Sequence, residues 1–182
     1  MTLPNIITLF RILLLPLLIY YLFLGNYIYS LSILALAGIT DVLDGFIARK
    51  FKMVSRLGAV LDPIADKLFV VTLITYFVYQ ELIPLWFLLI ILFRDFSLAL
   101  GMCILKLKKI TFHPKAQVSG KLSTFANFAV ILLIIISHIY AAFVPYHDYF
   151  FYGATFFTLL SIMHYGMVWT GVYWNPLGYP PA

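Results

Sequence analysis

Four aspartates set the chemistry open to this chain. Asp41 and Asp44 stand three positions apart, and Asp62 and Asp66 four apart, within the stretch DVLDGFIARKFKMVSRLGAVLDPIADK. Either spacing puts both members of a pair on one face of a helix. Carboxylates among apolar segments repel one another and are costly at membrane depth without water, bases or metal. Divalent metal is the natural compensation. Mg²⁺ and Mn²⁺ favour oxygen ligands, and a diphosphate supplies more of them. Two such ions could bridge the carboxylates and polarise a phosphoryl group. Soft-metal ligation is disfavoured, because Cys103, His113, His138, His147 and His164 are all distant in sequence from the cluster. Gly45, Ala48 and Gly58 give the same region a small face, suited either to helix packing or to a ligand approaching backbone.

The elements that must carry these residues are apolar. The chain of 182 residues is 64% hydrophobic and 10% charged, against about 25% charged in a soluble domain. Apolar runs near the ~20 residues needed to cross a bilayer recur along it. The expectation is an all-α integral membrane protein with six transmembrane helices in one domain, residues 1–182. The spans are expected at about 5–24, 29–49, 57–79, 84–106, 119–139 and 149–171. Pro176 and Pro180 mark a tail. Residues Met1 to Ile6 lack the basic start of a signal peptide, so 5–24 is read as a retained helix rather than a cleaved leader.

The net charge of +5 is concentrated in two places. Arg49, Lys50, Lys52 and Arg56 form one cluster, and Lys106, Lys108, Lys109, Lys115 and Lys121 the other. Basic connections on the cytoplasmic side of a membrane account for both, with both termini on that side. No nucleic-acid motif accompanies them, and no nucleic-acid partner is expected. Tyrosines near the expected helix ends, such as Tyr20, Tyr79 and Tyr146, fit interface anchoring. A transporter that binds a cation at mid-membrane is the competing class. The position of the aspartates beside a basic loop suits a charged headgroup better.

The ordered pattern D-x2-D-G-x2-A-R-x8-G-x3-D-x3-D is complete at Asp41, Asp44, Gly45, Ala48, Arg49, Gly58, Asp62 and Asp66. It resembles the signature of the CDP-alcohol phosphatidyltransferase family. The resemblance implies two divalent ions, Mg²⁺ or Mn²⁺, held by Asp41, Asp44 and Asp62 with a contribution from Asp66. It also implies that Asp66 is the catalytic base for the acceptor hydroxyl. The implied donor is CDP-diacylglycerol, with Gly45, Ala48, Gly58 and Arg49 as CDP-lipid contacts. The opening Leu3-Pro4-Asn5-Ile6-Ile7-Thr8 and Arg11 resembles that of glycerophospholipid-type members. Asn5 and Thr8 are candidates for the nucleotide end, with helix capping as the equal alternative. Arg11 falls inside an apolar span and is a candidate phosphate or acceptor contact, with snorkelling to the interface as its alternative. A homodimer among membrane lipids is implied as well.

Arg94, inside the fourth apolar run, and Lys121, opening the fifth, resemble residues that bind donor or acceptor phosphate in such members. Two acceptors fit, phosphatidylglycerol giving cardiolipin and glycerol 3-phosphate giving phosphatidylglycerophosphate. Bacterial phosphatidylglycerophosphate synthases usually follow a Ser-Arg-Glu motif with another arginine eight positions later; here the stretch is Phe93-Arg94-Asp95, and Met102 stands eight positions after Arg94. Ala35 to Thr40, Phe46-Ile47, Arg94-Asp95, Pro114, Lys121 and Thr124 are closer to cardiolipin synthases. Gly120-Lys121-Leu122-Ser123-Thr124 departs from the Ser-Lys-x-Asn-Thr of many of these. The resemblance therefore favours phosphatidylglycerol and keeps glycerol 3-phosphate open. The implied location is a bacterial cytoplasmic membrane or a mitochondrial inner membrane, with the site toward cytoplasm or matrix.

Overall fold

Apolar runs interrupted by glycine, proline and charge leave the backbone one economical way to pair its own polar groups, the α-helix. A computed structural model describes residues 3–50, 58–107 and 118–174; side chains are described for these except 3–5, 42, 44–49, 59–62, 105, 106 and 172–174. Six α-helices occur among the described residues: α1 (Leu3–Phe23), α2 (Tyr27–Lys50), α3 (Gly58–Tyr79), α4 (Leu85–Leu107), α5 (Val118–Ile139) and α6 (His147–Trp174). A short 3-10 helix, Ala141–Tyr146, precedes α6. The basic connections with Lys52, Arg56, Lys108, Lys109 and Lys115, and the tail with Pro176 and Pro180, lie outside the described residues.

The expectation of six membrane spans is corrected. Among the described residues, three helices are long and apolar enough to cross a membrane, at Ile6–Phe23, Leu85–Ile104 and Val118–Ile139. Helical length was the wrong measure for the other three. In α2 the apolar stretch among the described residues is Tyr27–Asp41, and the helix sequence also carries Asp44, Arg49 and Lys50. In α3, Asp62, Asp66 and Lys67 occupy the first half. In α6, Asp148, Thr155, Thr158, Ser161, His164 and Thr170 dilute the apolar residues.

The chain forms two compact units. The first holds α1, α2, α3 and the end of α5 with the segment that follows it. In it, α1 packs against both α2 and α3. Thr8, Arg11, Leu14, Leu18 and Leu22 recur every three or four residues along α1 and are all buried. They make one face of the helix, while Leu9, Phe10, Leu13 and Leu17 are exposed on the others. The buried side of α3 runs through Ala65, Phe69, Leu73, Tyr76 and Phe77.

Chain reversals bound these helices. After α1, Asn26 N–H donates to Tyr21 O at 2.9 Å and Gly25 N–H to Leu22 O at 3.0 Å, with Gly25 at φ +68°. This is the left-handed glycine C-terminal cap, which pairs the last carbonyls of a helix. The end of α3 repeats it: Leu82 N–H donates to Phe77 O at 2.9 Å and Glu81 N–H to Val78 O at 3.0 Å. Here the left-handed residue is Glu81, at φ 59°.

The second unit holds α4, the first part of α5, and α6. Its apolar core includes Phe87, Leu88, Ile91, Val130, Phe151 and Ala154, and the Phe87 and Phe151 rings meet edge to face at 5.6 Å. Beside it runs a polar seam. Ser123 and Thr158 share a hydrogen bond of 2.9 Å, Thr158 also reaches Ala154 O at 2.8 Å, and Ser119 meets His164 Nδ1 at 3.2 Å. Small hydroxyl residues that bond across helices suit an apolar solvent outside. Exposed Leu89, Phe93, Phe96 and Phe125 against buried Arg94, Ser123 and Asn127 reverse the usual soluble arrangement. Apolar outer surfaces and apolar helices of this length are consistent with membrane association.

Candidate functional site

The site is built from the buried face of α1 outward. Arg11 lies on that face among leucines, with its side chain 3% exposed. From there its Nη1 reaches Asp41 Oδ1 on α2 at 2.8 Å and Asp66 Oδ1 on α3 at 2.7 Å. One nitrogen therefore gathers two carboxylates that lie on different helices. Both are about half exposed, at 50% and 54%, so the pair opens outward from a buried guanidinium. Snorkelling does not describe Arg11, because a snorkelled guanidinium would be exposed.

Local sequence explains the placement. Thr8 lies one turn before Arg11 on the same buried face, inside α1 rather than at its cap. Asp41 ends the apolar part of α2. Asp66 follows Pro63, an interruption inside α3. Proline lacks the N–H that would bond the carbonyl four residues earlier, so the backbone ladder is broken next to the carboxylates. Gly58 opens α3 and is buried. The side chains of Asn5, Asp44, Gly45, Ala48, Arg49 and Asp62 lie outside those described, although their backbone is helical.

In these two ion pairs one guanidinium faces two carboxylates. Like charges at such range repel strongly where the dielectric is low. Carboxylate oxygens suit a hard divalent cation, Mg²⁺ or Mn²⁺, rather than a soft one. Asp41 and Asp66 fit that chemistry. Among the described residues no group of three or more histidine, cysteine, aspartate or glutamate side chains is assembled for a metal.

In the second unit the structure brings Arg94 beside the residue that precedes Lys121. Arg94 is buried. Its Nη1 donates to Asp95 Oδ1 at 2.9 Å and its Nη2 to Gly120 O at 3.2 Å, while Arg94 Nε is buried with no hydrogen-bond partner among the described residues. Lys121 is exposed. Sequence reasoning gave His164 and Tyr165 a packing or headgroup-facing role, not a catalytic one, and did not single out Ser119. A methyl group on Gly120 would lie 3.0 Å from the Tyr165 hydroxyl and 3.4 Å from Arg94 Nη2. The available signal was the spacing of Ser119, Ser123 and Asn127 along one face of an otherwise apolar helix.

The family model for CDP-alcohol phosphatidyltransferase matches residues 1–170. The chain belongs to the CDP-alcohol phosphatidyltransferase family, in the subgroup of cardiolipin synthases and phosphatidylglycerophosphate synthases. It is 36% identical over 143 residues to a CDP-diacylglycerol–glycerol-3-phosphate 3-phosphatidyltransferase of Aquifex aeolicus, covering 77% of this chain and 79% of that protein. It is 32% identical over 145 residues to a cardiolipin synthase (CMP-forming) of Streptomyces coelicolor, covering 75% of this chain and 66% of the relative. A probable cardiolipin synthase (CMP-forming) of Drosophila melanogaster is 43% identical over 106 residues, 57% of this chain but only 33% of the fly protein. Membership supports an activity of the CDP-alcohol phosphatidyltransferase type, and similarity extends to both kinds of relative.

Proposed function

We propose that this chain transfers the phosphatidyl group of CDP-diacylglycerol to phosphatidylglycerol, releasing CMP and forming cardiolipin. The observation that carries the reading is the convergence of Asp41 and Asp66 on Arg11. It gathers residues from both halves of the family motif at one exposed point. In this reading a hydroxyl oxygen of phosphatidylglycerol bonds to the lipid-side phosphorus of the donor. The bond from that phosphorus to the oxygen of CMP breaks, and CMP leaves with that oxygen. The acceptor's proton passes to the carboxylate of Asp66, a general-base role that needs contact with the acceptor oxygen.

Asp41, Asp44, Asp62 and Asp66 would hold Mg²⁺ or Mn²⁺. Such ions, when bound, supply charge stabilisation at phosphoryl oxygens. Asn5, Thr8, Gly45, Ala48, Arg49 and Gly58 are assigned to the CDP-lipid. Arg94 and Lys121 are assigned to phosphate charge of donor or acceptor, and the partners held at buried Arg94 limit its movement.

The choice of acceptor is supported by Met102, which is apolar and exposed where the resemblance to bacterial phosphatidylglycerophosphate synthases leads one to expect an arginine. The similarity to the Aquifex protein across most of both chains favours glycerol 3-phosphate as the second reading. Competition decides between them. Purified protein given labelled CDP-diacylglycerol with both acceptors is expected to yield CMP and mainly cardiolipin. Exclusive formation of phosphatidylglycerophosphate would replace the first reading with the second. No CMP release with either acceptor would sink both.

A further inference from the structure

We infer that Arg11 is a positioning residue: a resident counter-cation that holds Asp41 and Asp66 at one point, so that the polypeptide assembles this carboxylate pair without a metal ion. Three observations carry it. The same nitrogen contacts both carboxylates, at 2.8 and 2.7 Å. The guanidinium is buried while both carboxylates are half exposed, so the cation is fixed from inside and leaves their outer side approachable. And α1, which supplies the cation, packs against both helices that supply the anions. Removing Arg11 would take away the guanidinium that both of these like charges, from neighbouring helices, contact.

The metal-linked part of this inference rests on the reading of Asp41 and Asp66 as cation-binding residues. The test is thermal unfolding of the full chain in detergent micelles, in EDTA and in Mn²⁺, for the wild type, Arg11→Met and Arg11→Lys. In EDTA, Arg11→Met is expected to lose about 5 °C, a shift well within reach of one lost ion-pair network. Mn²⁺ is expected to restore most of that loss, so that the Mn²⁺-induced rise is larger in Arg11→Met than in the wild type. Arg11→Lys, which keeps the charge, is expected to stay near the wild type in EDTA. An equal loss in EDTA and in Mn²⁺ would mean that Arg11 serves general packing and would overturn the inference, as would no loss in EDTA. If Mn²⁺ shifts none of the three proteins, the cation-binding reading fails and a double-variant cycle in EDTA decides for Arg11 alone. Coupling between Arg11→Met and Asp66→Asn supports the counter-cation, and additivity overturns it.

Discussion

Arg94 Nη2 donates to the carbonyl oxygen of Gly120, 26 residues further along the chain and 3.2 Å away. The bond ties the middle of α4 to the first turn of α5. Such a tie from a buried charge is worth more than a neutral one, about 1.5–3 kcal/mol. Arg94→Met is therefore expected to destabilise the protein by about 2 kcal/mol, read by denaturant unfolding in micelles. Arg94→Lys should fall between the two, because an ammonium lacks the fork that reaches Asp95 and Gly120 together. A lysine variant as unstable as the methionine variant would contradict this account.

Gly101 faces the indole of Trp169, which a methyl group at position 101 would overlap. Overfilling of this kind typically costs about 1–3 kcal/mol. Gly101→Ala should lower stability by that amount, and Trp169→Leu should recover much of it in the same chain. If Gly101→Ala is neutral, the close approach of α4 and α6 at this level is wrong.

The two left-handed caps make opposite predictions. Gly25 has no methyl contact to fear, with open space around it, yet its φ of +68° strains any side chain. Gly25→Ala should cost about 1 kcal/mol. Glu81 already bears that strain at φ 59°. Glu81→Gly should raise the unfolding midpoint by the equivalent of about 0.5 kcal/mol, after the entropy that glycine adds to the unfolded chain. A fall in the midpoint would show that the Glu81 side chain contributes more than its backbone costs.

Asp66→Asn keeps an oxygen that can accept from Arg11, so folding should persist. As general base, Asp66 is expected to contribute about 10²–10⁴-fold to turnover. CMP release by the variant should drop within that range while CDP-diacylglycerol still binds. Near-normal turnover would remove the base assignment; loss of donor binding would recast Asp66 as a residue of the binding site.

Chelation supplies a separate check on the cation-binding aspartates. EDTA treatment should abolish CMP release by the wild type, and added Mg²⁺ or Mn²⁺ should restore it. Full activity after rigorous metal removal would reject the metal-dependent reading.

Helix positions were legible because apolar runs end at glycine, proline or charge. The turn at Gly25-Asn26 and the break before Pro84 are clear in the letters alone, and α1 and α4 lie close to their expected limits. The number of spans was misjudged for a specific reason. Asp41 and Asp66 were treated as interruptions within spans, and neither α2 nor α3 is among the described helices long and apolar enough to cross a membrane. That Arg11 is the partner of both could not be read, since Asp66 lies 55 residues away and periodicity says nothing about which helices meet. The pairing of Ser119 with His164 was hidden in the same way, across 45 residues.

The order in which the chain is made gives Arg11 one more consequence. Synthesis delivers α1 before α2 and α3, with a cation on the face that will become interior. Asp41 follows 30 residues later and Asp66 only 55 residues later. An arginine at the centre of an inserting helix costs about 2.5–3.5 kcal/mol on insertion scales, and nothing on α1 itself offsets it with an acidic side chain. Until Asp41 on α2 and then Asp66 on α3 have been made, α1 carries that charge without the two carboxylates that meet it in the folded chain. A nascent chain halted before residue 66 should be extracted from the bilayer more easily than one halted after it.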